Sequence, residues 1–229
     1  MDNISLPAIF LSFDDWWEAE WREYLPILAE HNVKATFYSC PRRAWARPLL
    51  ETDTIFEALV KPAYWQALRE LSDAGHTVGY HTINHANMAA LTQQRGLEAA
   101  TQTEIIRGIQ YFADAGLKLR HFSYPYGIHN AIIDECLCRH FATLRTIVRP
   151  GEWRTMKFYA PTDLKTTRVF IAYDLKDADC FDAVNTTLRD NKIGFFFAHH
   201  PVEYAVELDR LFHLATASGA TFYPMNVLE

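Results

Sequence analysis

Hydrophobic positions along the chain form short β-branched and aromatic runs, and these alternate with longer stretches of helical periodicity. The short runs predict strands at Ala8–Phe13, Val33–Ser39, His76–His81, His121–Tyr124, Phe141–Ile147, Arg168–Tyr173, Ile193–His199 and Ala220–Tyr223. The longer stretches predict helices at Glu18–His31, Ala63–Ala74, Gln93–Ala115, His129–Cys138, Cys180–Asn191 and Val202–Ser218.

Three of these predicted helices end at a glycine, namely Gly75, Gly116 and Gly219. Glycine is the usual residue just past a helix because it adopts the left-handed conformation without a Cβ clash. A predicted strand follows each glycine within a few residues, which is the βαβ pattern of a parallel sheet. The pattern therefore predicts an α/β fold, an irregular (β/α)7-8 barrel similar to a TIM barrel. A doubly wound open sheet is the alternative, but no glycine-rich dinucleotide fingerprint follows the first strand.

Composition narrows the classes of partner. The 229 residues are 49% hydrophobic and 22% charged, with a net charge of −6 and both signs mixed along the chain. No basic stripe indicates a nucleic-acid or anionic-membrane partner. No internal repeat or linker is visible, so residues 1–229 are interpreted as one catalytic domain. No apolar run is long enough for a transmembrane segment and no signal peptide is apparent, so the protein is expected to be cytoplasmic. The four cysteines are expected to be reduced and mostly buried.

Polar residues follow four of the predicted strands at their carboxyl ends, where the functional groups of such a barrel lie. They are Asp14 and Asp15 after the first strand, His81 and His85 after the third, Tyr124-Pro125-Tyr126-Gly127 after the fourth, and His199-His200 after the seventh. In a closed barrel these four strand ends would meet at one mouth.

His81 and His85 are four residues apart, a spacing that would place both imidazoles on one side of a helical turn. Two neutral imidazoles and one carboxylate suit a divalent transition metal and leave positions open for water and substrate. Each feature alone is weak, because such a histidine pair is often a surface coincidence and paired aspartates are common in turns and helix caps. The combination of strand ends is more specific than any one of them.

The order Asp-Asp, His-Thr-x-x-His and Tyr-Pro-Tyr-Gly resembles the first three motifs of the polysaccharide deacetylases (NodB homology, carbohydrate esterase family 4). The lead-in Ala74–Gly79 is also similar, and the resemblance extends from the first strand to about His200. It implies that Asp15, His81 and His85 hold a metal ion. The implied activity is metal-dependent hydrolysis of an N-acetyl group, or less favourably an O-acetyl group, from a sugar-containing substrate.

The resemblance also assigns catalytic roles. Asp14 matches the general base, the backbone N–H of Tyr126 the oxyanion contact, and His199 the late general acid. This chemistry needs a base for water and an imidazole that protonates the departing amine. Zinc is the expected metal, although cobalt, nickel or iron would suit the same ligands. Asp14 and Asp15 are expected to divide their roles because side chains alternate along an extended backbone. His200 remains the alternative acid.

Two positions depart from the family pattern. Ser123 stands where the third motif often has an arginine that steadies the catalytic aspartate. Arg145, at the end of the fifth strand, is predicted to supply the guanidinium instead, with Arg149 as the second candidate and an exposed loop arginine as the alternative. The fourth motif, an aspartate–tryptophan pair that tunes the late histidine, is not clear: Asp177 or Asp179 lies at a plausible distance, but no tryptophan follows.

Several aromatic and basic residues could bind substrate. Trp16 and Trp17 would offer a platform for a sugar ring, whereas Trp21, at helical spacing, can equally belong to the core. The segment Pro41–Pro62 is predicted to be a long loop over the mouth, and its arginines either grip an anionic group or are solvated. With no export signal, a small, lipid-linked or oligosaccharide substrate is expected, and polymeric chitin or peptidoglycan is less favoured.

Two other functions stay open. One is hydrolysis of a cyclic amide or formamide on the same barrel. The other is a carbohydrate-binding protein with a degenerate site, which the serine at position 123 and the missing fourth motif make conceivable.

Overall fold

A computed structural model describes residues 4–15, 18–41, 62–148 and 157–229, with backbone only for residues 18–20. Within these ranges the strands are β1 Ala8–Asp15, β2 Thr36–Ser39, β3 Thr77–Tyr80, β4 His121–Ser123, β5 Thr143–Ile147, β6 Val169–Asp174, β7 Ile193–Ala198 and β8 Thr221–Phe222. The α-helices are α1 Glu18–Glu30, α2 Pro62–Asp73, α3 Met88–Arg95, α4 Leu97–Thr101, α5 Arg107–Asp114, α6 Ala131–Leu137, α7 Pro161–Leu164, α8 Cys180–Arg189 and α9 Ala205–Ala217.

The strands form a parallel barrel that closes at β1. Strands β2 to β7 pair in sequence order, and β1 then pairs with β7 on one edge and with β2 on the other. The short β8 lies beside Ala8 and Ile9, whereas the β1–β2 register begins only at Ser12. The eighth strand therefore pairs with the start of β1, before the residues of β1 that pair with β2. Strands β1 to β7 close the barrel, so the predicted irregular (β/α)7-8 barrel is confirmed as a seven-stranded closed barrel.

Most predicted elements are present, with ends that differ by a few residues. The three predicted terminal glycines have φ values of 66° to 85°, the left-handed conformation expected after a helix. The prediction of one helix over Gln93–Ala115 is wrong, because the chain breaks at Gly96 and contains a π-helix at Gln102–Ile106. Helices α3 and α7 were not predicted. At the start of helix α3 the Asn87 side chain caps two backbone N–H groups. The helix has no marked apolar stripe from which it could have been predicted.

Strand alternation divides the apolar core into two layers. The interior of the barrel is filled by alternate strand residues such as Phe10, Phe170 and Phe195. The rings of Phe10 and Phe170 lie 4.6 and 4.7 Å from that of Phe195. The second layer lies between the strands and the helices, and includes Trp21, which is 1% exposed. For Trp21 the core alternative is therefore confirmed.

All four cysteines are free thiols; Cys40 and Cys180 are buried and the other two partly buried. The longest described helices, α1 and α9, have 13 residues each. Among the described residues, no helix combines the length and apolar character that a membrane span requires.

Candidate metal centre and catalytic site

Asp15, His81 and His85 form a compact cluster at the carboxyl ends of β1 and β3. One ligand atom from each lies within 4.8 Å of the others. The Nε2 atoms of His81 and His85 are 3.7 and 3.2 Å from Asp15 Oδ1. Two imidazole nitrogens and a carboxylate oxygen fit a divalent transition metal, and three protein ligands leave positions open. The structure thus brings together the three predicted ligands.

The second nitrogen of His81 fixes how this ring faces the cluster. Its Nδ1 lies 2.8 Å from the backbone carbonyl oxygen of Ser123, which can only accept a hydrogen bond. Nδ1 therefore carries the proton, and the Nε2 lone pair faces Asp15, as in metal-binding histidines held by a backbone acceptor. Burial lowers the pKa of His81, and the carboxylates of Asp14 and Asp15 offset this only in part. The imidazole is held neutral, the form that binds metal.

The segment between the two histidines is a loop, so the predicted helical turn is wrong. Thr82 and His85 both have left-handed backbones, with φ values of 60° and 53°. A non-glycine residue in a sparsely populated region costs on the order of 1–3 kcal/mol and persists only where its surroundings hold it. The Thr82 hydroxyl accepts a hydrogen bond of 2.8 Å from the Ala86 N–H. Left-handed turns bring the imidazoles together, with ring centroids 4.9 Å apart.

The two aspartates face different groups, although not through simple strand alternation. Asp15 has a φ of 69°, so it leaves the extended conformation expected for it. Its carboxylate lies against the histidines, while that of Asp14 accepts a hydrogen bond from Arg145 Nη2. Both aspartates are only 3% exposed.

Arg145 lies beside Ser123, the position at which the family pattern often has an arginine. It is the register partner of Ser123 on the neighbouring strand, and its Nη2 donates to Ser123 Oγ as well as to Asp14. The guanidinium is buried between the rings of Tyr38 and Phe197, with its Cζ 5.2 and 4.6 Å from their centroids. A serine at position 123 leaves room for the arginine that β5 contributes. Arg149 lies outside the described residues.

The charge on Asp14 follows from these neighbours. Burial raises the pKa of this carboxyl, but Arg145, then His81 and His199, favour the charged form, and the net result is a lowered pKa. Arg145 occupies Oδ2, whereas among the described residues no donor reaches Oδ1. The site therefore holds an ionised carboxylate with one oxygen available as a proton acceptor.

The predicted oxyanion turn borders the same cluster. Tyr126 has a φ of 60°, is 58% exposed, and its ring centroid lies 4.6 Å from that of His85. Asp134 on α6 holds both flanks of the turn: it accepts 2.7 Å from the Tyr124 hydroxyl and 2.9 Å from His129 Nδ1. Neither Asp134 nor His129 was predicted to support the site: His129 is close to the turn in sequence, but its partner Asp134 reaches the turn only in the folded chain.

His199 belongs to a hydrogen-bonded chain that the sequence did not predict. Its Nδ1 is 3.3 Å from the hydroxyl of Tyr204, which in turn donates over 3.2 Å to Asp174 Oδ2. Burial and then the charge of Asp174 raise the pKa of Tyr204 well above the physiological range. The phenol thus remains a donor to Asp174, and its oxygen accepts from His199. The carboxylate behind the histidine is Asp174, rather than Asp177 or Asp179.

The tryptophan platform at Trp16 and Trp17 lies outside the described residues, as does the part of the predicted Pro41–Pro62 loop at residues 42–61.

Residues 3–140 match the family model for polysaccharide deacetylase. The chain belongs to the polysaccharide deacetylase family. A chitooligosaccharide deacetylase of Sinorhizobium fredii is 29% identical over 149 residues, which are 64% of this chain and 60% of that protein. The uncharacterized protein YlxY of Bacillus subtilis is 28% identical over 166 residues, which are 72% of this chain but 44% of YlxY. The chain thus spans about half the length of these relatives.

The barrel also resembles solved structures. It superposes on a family 4 carbohydrate esterase from Streptomyces lividans, in complex with acetate, with a TM-score of 0.60 and 19% identity. The match covers 94% of this chain and 91% of that one. At this identity the superposition supports the shared fold, a NodB-like (β/α)7 barrel.

Proposed function

We propose that the protein is a metal-dependent hydrolase that removes an N-acetyl group from a sugar-containing substrate. The observation that carries the proposal is the division between adjacent aspartates: Asp15 faces two histidines, and Asp14 faces Arg145 with one oxygen open. A site that only bound carbohydrate would not need an ionised, buried base beside a ligand cluster.

The residues suit the steps of amide hydrolysis. A divalent metal held by Asp15, His81 and His85, zinc by default, would lower the pKa of bound water and polarise the acyl carbonyl. Asp14 Oδ1 accepts a proton as the water oxygen bonds to the carbonyl carbon. The backbone N–H of Tyr126 donates to the developing oxyanion. His199 Nε2 then protonates the nitrogen as the C–N bond breaks, and acetate and a free amine leave.

Arg145 is the positioning residue for the base. Replacing it by methionine, which retains much of the volume, is expected to lower kcat about 100-fold because the carboxylate of Asp14 loses its partner. It should also lower the free energy of unfolding by about 3 kcal/mol, since it leaves a buried, unpaired charge. Acetate release and urea unfolding measure both effects. The double variant Asp14→Asn/Arg145→Met should recover stability but not activity, and Arg139→Met, which removes an exposed arginine, should change neither. Wild-type kcat and stability in Arg145→Met would refute the role.

Tyr204→Phe tests the acid side of the site. The substitution removes the acceptor for the His199 Nδ1–H, so the imidazole is held less firmly towards the departing nitrogen and kcat should fall about tenfold. Tyr204, directly before α9, also links His199 to Asp174 on β6. Acetate release is measured with Tyr111→Phe, a change on the outer helix α5, as control. A wild-type kcat in Tyr204→Phe would show that Tyr204 does not support the acid.

The decisive functional experiment is a substrate panel. Acetate and free amine are measured with N-acetylated monosaccharides, lipid-linked sugars and oligosaccharides, and with O-acetylated sugars. For formamides the formate released is followed, and for cyclic amides the ring-opened product. Acetate and amine in equal amounts from an N-acetyl sugar, lost on chelation and restored by Zn²⁺, Co²⁺, Ni²⁺ or Fe²⁺, are the expected result. Formate or a ring-opened product instead would favour the formamide or cyclic amide alternative, and carbohydrate binding without metal or turnover would favour the degenerate binding protein.

A further inference from the structure

The helical connection between β3 and β4 is interrupted where it passes the metal loop. Helices α4 and α5 are joined by a π-helix at Gln102–Ile106. Such a segment inserts an extra residue into a helix and is found frequently at functional sites. Its middle residue, Glu104, is 4% exposed although it carries a carboxylate. Burying a carboxylate is costly unless its oxygens are hydrogen-bonded.

Both oxygens of this carboxylate contact one residue of the metal loop. Glu104 Oε2 accepts from the Asn84 backbone N–H and Oε1 accepts from Asn84 Nδ2, each over 2.9 Å. Asn84 immediately precedes His85. Among the described residues, the polar contacts of the Glu104 carboxylate are these two bonds, and no lysine or arginine pairs with it.

The backbone of the same glutamate holds the residue before the other histidine. The hydroxyl of Tyr80, which precedes His81, donates a short hydrogen bond to the carbonyl oxygen of Glu104. This approach requires a glycine one turn later, since a Cβ at Gly108 would lie 1.8 Å from the Tyr80 hydroxyl oxygen. Glu104 therefore contacts the chain directly before each histidine, once through its side chain and once through its backbone.

We propose that Glu104 is a positioning residue of the metal centre, which holds the loop from Tyr80 to His85 in its ligand-binding conformation. The loop has left-handed backbones at Thr82 and His85 and so depends on outside contacts to keep its shape. This inference rests on the proposed metal site, and goes beyond it by assigning a supporting residue on a different element. The proposed role also accounts for the π-helix, because its extra residue brings Glu104 to the loop.

The test compares Glu104→Ala with Glu104→Gln on purified protein loaded with metal. Zn²⁺ affinity is measured by chelator competition, and the ligand field by the visible absorption of the Co²⁺ form. Glu104→Ala should bind Zn²⁺ about 10–100-fold more weakly and alter the Co²⁺ spectrum. Glu104→Gln should lose much less Zn²⁺ affinity. The glutamine oxygen can still accept from the Asn84 backbone N–H, and its NH2 group can donate to Asn84 Oδ1 if the Asn84 side-chain amide flips. Glu98→Ala, an exposed change on α4, is the matched control.

The outcomes separate this inference from the proposed function. Wild-type affinity and an unaltered Co²⁺ spectrum in Glu104→Ala would overturn the role of Glu104 and leave the metal site standing. A wild-type protein that binds no metal would overturn both. Should Glu104→Ala fail to fold, the cycle of Glu104→Asp, which is one methylene too short to reach both donors, Asn84→Ala and their double variant carries the test. Non-additive effects on Zn²⁺ affinity support the contact, and additive effects overturn it.

Discussion

Asp15→Asn is expected to abolish deacetylation, with a fall in kcat/KM of about 10³-fold or more, because the substitution leaves two imidazoles to hold the metal. A metal ion supplies several kcal/mol of transition-state stabilisation, and each 1.36 kcal/mol corresponds to about tenfold in rate. Asparagine has nearly the same size as aspartate, which matters because residue 15 is only 3% exposed, so the fold should be retained. Metal content after dialysis and acetate release at fixed Zn²⁺ are the measurements.

Chelation provides the matching test on the wild-type protein. Removal of the metal should abolish activity, and added Zn²⁺ should restore it in the wild type but not in Asp15→Asn. If Asp15→Asn retained stoichiometric metal and a rate near that of the wild type, Asp15 would not be a ligand of the catalytic metal.

Asp14→Asn, the same chemical change one residue earlier, is expected to lower kcat about 10³-fold with metal content unchanged. Positioned general acids and bases contribute about 10²–10⁴-fold, and an amide cannot accept the proton of water. Asparagine can still accept the hydrogen bond from Arg145 through its oxygen, so the geometry around the guanidinium is preserved. Single-turnover acetate release and metal analysis measure the two quantities separately.

The two aspartates are thus controls for each other. Asp15→Asn should lose metal and rate together, whereas Asp14→Asn should lose rate alone. Asp182→Asn, on the exposed start of α8, should change neither quantity. A kcat for Asp14→Asn within tenfold of the wild type would rule out Asp14 as the general base.

The sequence determined the barrel because each level of its pattern agreed. Short apolar runs, helices ended by glycine and the βαβ alternation all favour a parallel sheet, and no competing fingerprint is present. Once the fold was expected, the carboxyl ends of the strands pointed to Asp14, Asp15, His81 and His85, since polar residues after buried strands are informative in this architecture.

Only the tertiary structure decided how those residues are held. The left-handed backbones at Asp15 and His85 replace the extended strand and helical turn that local spacing suggested, because surrounding contacts outweigh local preference. Tyr204 and Glu104 carry no local signal in the sequence. Tyr204 contacts His199, 5 residues away, and Glu104 contacts Asn84, 20 residues away. Arg145 is the intermediate case. Its strand end made it a candidate, but its contact with Asp14 joins β5 to β1, and only closure of the barrel brings these two strand ends together.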